Sequence, residues 1–94
     1  MGLFGSLFNA LGDVAVSQYG IDKPSDALQV IQNMARRGKI YDPDESNPAK
    51  HIVTWLKRLS NSTDRRSDVA AAVLESLRND YSCRNYLEKN SIKV

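Results

Sequence analysis

Apolar positions recur along this chain at steps of three and four, the spacing of one face of an α-helix. Residues 3–19 carry the first such set: Leu3, Phe4, Leu7, Phe8, Leu11, Val14, Ala15 and Tyr19, with Gly20 placed as a stop. A second helix is expected to begin between Asp22 and Ser25, where Pro24 suits a first turn and Asp26 puts negative charge near the N-terminus. Its apolar set is Ala27, Leu28, Val30, Ile31, Met34 and Ala35, and Gly38 closes it after Arg36 and Arg37. Lys39 to Ser46 reads as a loop. Asn47-Pro48 then pairs an N-cap residue with a proline at the first helical position.

The third helix presents Ile52, Trp55, Leu56 and Leu59, an i, i+3, i+4, i+7 face that should be buried. It ends in Ser60-Asn61-Ser62-Thr63. A fourth starts around Asp64 to Ser67 and offers Val69, Ala70, Val73, Leu74 and Leu77, with Ala70-Ala71-Ala72 small enough for close approach by a neighbour. Asn79-Asp80 breaks the chain before a short fifth helix carrying Cys83, Tyr86 and Leu87. No segment alternates with period two. The expected fold is therefore all-α, a compact bundle of four to five short helices with no sheet. It divides into an N-terminal amphipathic helix over residues 1–20, docked or interface-forming, a helical core over 21–90 and a frayed tail over 91–94. Asp26 to Arg36 can be laid over Asp68 to Arg78, but two weak copies fall short of the three a solenoid needs.

The 94 residues suit one domain that buries about 60–65% of its extended surface. Hydrophobic residues at 41% and charged residues at 26% argue against disorder. Thirteen Lys and Arg against eleven Asp and Glu leave a net charge of +2, so an anionic partner would need cations gathered on one face. Lys50, Lys57 and Arg58 form such a stripe beside His51. The pairs Arg36-Arg37 and Lys57-Arg58 fall in last turns, where the helix dipole already favours them, while acids gather at helix starts. A nucleic-acid-binding helical domain is therefore the alternative reading and not the favoured one.

The N-terminal stripe is the most unusual feature. Two Phe, three Leu and four Gly fall within twenty residues, without a Lys or Arg to face anionic lipid. Its glycines and Asp13 make it too polar to span a bilayer, and it lacks the basic start of a secretory signal. Met1-Gly2-Leu3-Phe4-Gly5-Ser6 fits an N-myristoylation pattern, yet no polybasic segment follows to supply the second signal that stable anchoring takes. Membrane association through residues 2–16 is thus a second alternative. The expectation is that Leu3, Phe4, Leu7, Phe8 and Leu11 dock on the domain's own core, on another protein or on a second copy.

Catalytic, metal and cofactor chemistry find little support. Asp42, Asp44 and Ser46 resemble the opening of a calcium loop, but its sixth position is Asn47 and its twelfth is Val53. There is no glycine-rich phosphate loop and no HExxH. The lone Cys83 falls on an apolar face and His51 on a polar one, so they do not suggest a nucleophile–base pair. Trp55 and the tyrosines at 19, 41, 81 and 86 are expected to complete a thin core. The single cysteine fits a reducing compartment, most simply the cytoplasm. Asn61-Ser62-Thr63 matches a glycosylation sequon with nothing to direct the chain to glycosylation, and Ile92-Lys93-Val94 could add a strand to a partner's sheet. The resulting reading is a non-catalytic interaction module: an adaptor, inhibitor or regulatory subunit working through an apolar helix face.

Overall fold

A computed structural model describes residues 12–94. The expectations for Gly2, Leu3, Phe4, Leu7, Phe8 and Leu11 lie outside the described residues. Within them the chain is all-helical: α1 (Asp13–Ser17), α2 (Asp26–Arg37), α3 (Pro48–Ser60), α4 (Ser67–Asn79) and α5 (Tyr81–Lys89), without a strand. α3 is the central element. It packs most extensively on α4 and also meets α1 and α2, while α2 and α4 both pack on α5.

The start of α3 shows why the helix begins where it does. Pro48 has no N–H to leave unpaired in the first turn. Asn47 is extended, and its side-chain oxygen accepts the Ala49 N–H at 3.0 Å. Its amide Nδ2 also donates to Asn90 Oδ1 at 3.3 Å. Replacing Asn47 by Ala should cost about 1–2 kcal/mol of stability, since both the cap and this tie are lost. An unchanged urea midpoint would contradict that account. From this start the helix buries Ala49, Ile52, Val53, Trp55, Leu56 and Leu59, the expected face together with Ala49 and Val53. α2 buries Ala27 and Ile31 and ends as expected at Gly38, whose φ of 70° lets its N–H reach the Met34 carbonyl at 2.9 Å. Asp26 acts as a local clamp as well, its carboxylate accepting the N–H groups of Asp22 and Lys23.

Three expectations need correction. The first helix is not one run over residues 3–19. Gly12 has φ 84°, a left-handed conformation that no α-helix passes through, and α1 begins only at Asp13. Val16 and Ile21 are buried at 1% exposure, while Val14 is 64% exposed and Ala15 is exposed too.

The tail over 91–94 does not fray. Ser91 adopts φ 59°, its N–H donates to the Glu88 carbonyl, and the Ile92 N–H donates to the Leu87 carbonyl. These two bonds form a Schellman turn that folds Ile92 back onto the core at 7% exposure. Lys57 Nζ then donates to the Lys93 carbonyl, and Arg78 Nε to that of Val94. The signal was hidden because the left-handed position carries serine in place of glycine. Ser91→Gly should therefore raise stability by about 0.5–1 kcal/mol, as relief of the left-handed strain outweighs the added chain entropy. A lowered melting temperature would refute the assignment.

The third correction concerns Val69 and Tyr81, which are 47% and 70% exposed and contribute no full burial to the core. In the loop before α3, Glu45 accepts the Asp42 N–H at 2.8 Å and sits 3.8 Å from Lys39.

Candidate functional site

Three tyrosines far apart in sequence meet at one groove. Tyr19 follows α1, Tyr41 lies in the loop after α2, and Tyr86 comes from α5. With Val30 and Met34 of α2 and Pro48 of α3 they wall a cavity of about 430 Å³, open to solvent on one side. Asn33, Arg37 and Lys39 complete its polar edge.

The walls are held by tertiary bonds. The Tyr19 hydroxyl is hydrogen-bonded to His51 Nδ1 at 2.8 Å. Asn90 fixes the loop: its Oδ1 accepts the Tyr41 N–H at 2.9 Å, while its Nδ2 donates to the Tyr86 carbonyl at 3.2 Å. Burial, then the nearby Tyr41 phenol, raises the pKa of both Tyr19 and Tyr86, so these two phenols stay neutral at physiological pH. Lys39 Nζ lies 4.4 Å from the Tyr41 ring centroid, a cation–π distance. Arg37 forms no hydrogen bond or ion pair with any described residue, whereas Arg36 donates to Asn33 Oδ1. The groove is thus apolar on its walls, has cationic donors at its rim, and carries one guanidinium with no partner among the described residues.

The stripe foreseen on α3 is divided. Lys50 and Arg58 line a second cavity of about 330 Å³ with Gly12, His51, Thr54 and Trp55, and Glu45 shares it. Lys57 is absent from this lining and is spent on the tail carbonyl. Cys83 and His51 are not brought into hydrogen-bonding contact. Cys83 is fully buried, and its thiol is pushed up to about 11, first by burial and then by the Asp80 carboxylate. A thiol so protonated is a poor nucleophile. Among the described residues no group of three His, Cys, Asp or Glu could hold a metal, and no helix is long and apolar enough to cross a membrane.

One polar cluster anchors α1. Trp55 Nε1 donates to Asp13 Oδ1 at 2.7 Å, and Arg66 Nη2 bridges Asp13 and Asp64 at 3.2 and 2.9 Å. The Arg66 side-chain bonds, followed by its backbone N–H, hold the Asp64 carboxyl below its usual range. Gln32, then the Cys83 N–H, does the same for Asp80 at the start of α5. A carboxylate with a depressed folded pKa stabilises above its unfolded pKa of about 3.9, and that stability is lost as pH falls through the folded value. The fold should therefore lose stability on acidification below about pH 4. In Asp64→Asn the loss should be shallower, because the carboxylate that titrates is gone. An identical slope in chemical denaturation between pH 5 and 2 would contradict the assignment.

No family model matches the chain, and comparison with curated proteins and with solved structures gives no match. The groove was missed at the sequence level because no local spacing links positions 19, 41 and 86. The packing of α1 on α3, together with that of α2 on α5, brings them together.

Proposed function

We propose that the chain is a small non-catalytic helical protein-interaction module whose docking element is the apolar segment Leu3, Phe4, Leu7, Phe8 and Leu11. The observation that carries this reading is the break at Gly12. α1 begins only at Asp13, after a left-handed Gly12, and the residue it buries is Val16, which is not one of the five apolar positions of the segment. The domain from Ile21 onward has a connected apolar core of its own, drawn from α2 to α5 and the tail. A segment this apolar, joined to such a domain, fits an adaptor, inhibitor or regulatory subunit that covers the segment with another protein or a second copy.

The test compares the full chain with one lacking residues 1–11, by circular dichroism, analytical ultracentrifugation and partner capture. The shortened chain should keep its helicity and cooperative melting, and lose self-association or its partner. Loss of folding on truncation would place the segment in the core. A monomeric full chain that binds vesicles only through residues 1–11 would replace the reading by membrane association. Salt-sensitive binding to duplex DNA or RNA, abolished in Lys50→Ala with Arg58→Ala, would replace it by nucleic-acid recognition.

A further inference from the structure

We infer that the tyrosine-lined groove between α2, α5 and the loop after α2 is a second docking site, one that takes a short acidic peptide segment with a large apolar anchor beside a carboxylate. It differs from the N-terminal segment in its residues and in its chemistry.

The size comes first. A half-open space of about 430 Å³ falls within the range of ligand pockets and suits one large side chain with its neighbours. Tyr19, Met34, Tyr41 and Tyr86 make its walls, and aromatic residues and methionine are the types enriched where proteins bind one another. Tyr86 is 5% exposed and Asn90 holds Tyr41 in place, so the walls are largely formed before anything binds.

The charge then selects the occupant. The rim presents donors: the Arg37 guanidinium and the Lys39 ammonium. Glu45 approaches Lys39 only to 3.8 Å, with both side chains about half exposed, so that pair is weak. Arg37 has no acid to answer it among the described residues. Such a rim lacks a carboxylate, and a forked guanidinium accommodates one by paired hydrogen bonds. The chain's own first eleven residues do not supply it, since they contain no Asp or Glu. The C-terminal tail is already held by Lys57 and Arg78. A partner with an acidic residue next to an aromatic or branched apolar one fills both needs.

The experiment titrates the full chain with an N-acetylated, C-terminally amidated peptide of sequence Gly-Ser-Phe-Asp-Glu-Gly and follows the tyrosine ring signals by NMR. Its Phe-Asn-Gln counterpart, blocked at both ends in the same way, and uncharged N-acetylphenylalanine amide serve as the comparison arms. The acidic peptide should bind and shift the Tyr19, Tyr41 and Tyr86 signals, and Arg37→Ala should weaken it at least about tenfold. Arg37 is exposed and has no partner among the described residues, so this variant should melt as the parent does. Arg36→Ala, next to it but outside the groove lining, should leave binding unchanged. Equal binding of the neutral peptide, equal binding of N-acetylphenylalanine amide, shifts located elsewhere, or no binding at millimolar peptide would each overturn the proposal. Truncation of residues 1–11 should leave this binding intact, so its failure is distinguishable from failure of the reading above.

Discussion

Trp55→Ala should lower the stability of the domain by about 3–5 kcal/mol, measured from the urea midpoint and slope. Trp55 is 2% exposed at the centre of the α3 face. Its removal leaves a large void that the surrounding core, fixed by its own packing, fills only in part. The indole also donates to Asp13, so the same change unfastens α1, whose packing is on α3. For a chain of 94 residues total stability is on the order of 5–14 kcal/mol, so this substitution alone could unfold much of the population. Trp55→Phe separates the two contributions. It keeps most of the apolar body and forfeits the N–H, and Asp13 retains Arg66 and partial access to water. It should therefore cost much less than Trp55→Ala. Equal losses for both would move the weight from packing to the hydrogen bond. A midpoint shift worth under about 1 kcal/mol for Trp55→Ala would defeat the argument.

Leu77→Ala is expected to cost about 2–5 kcal/mol. Leu77 is fully buried on α4, the helix that packs on α2, α3 and α5, so the vacated volume is bounded by elements that cannot all close on it. The same helix supplies the control. Val69 is 47% exposed, and Val69→Ala exchanges a β-branched residue for the best helix former at little cost in burial. It should fall within about 0.5 kcal/mol of the parent. If Val69→Ala proved as damaging as Leu77→Ala, the orientation of α4 described above would be incorrect.

These two helices also show what local sequence can and cannot disclose. The α3 face was legible because a cap, a first-turn proline and four apolar residues at helical spacing all agree. The centre of α4 was legible for the same reason, but its first apolar residue was not, since Val69 has the right spacing and nothing to pack on. At the N-terminus, steps of three and four ran through Gly12, and spacing alone gives no φ. At the tail, the deciding left-handed residue is a serine, which ordinarily signals nothing of the kind. The apolar segment before Gly12 is evident from composition, but spacing does not say what it meets. The groove needs three tyrosines from three regions, and the packing of α1 on α3, together with the meeting of α2 with α5, assembles it. Local chemistry thus fixes elements, whereas sites formed between elements stay invisible until the packing is known.

That meeting has a consequence for the order of events during synthesis. α3 and α4 are neighbours in sequence and can pair as soon as both have left the ribosome, but α2 closes against α5, which emerges after both. Gln32 bonds Asp80, and the Tyr41 N–H bonds Asn90, each across nearly fifty residues. A nascent chain stalled before Tyr81 has left the exit tunnel should hold the α3–α4 hairpin while α2 remains open to protease. Protection of α2 should come only when Leu87 and Asn90 have emerged. Early protection of α2 in such stalled chains would show that the first half closes on something else.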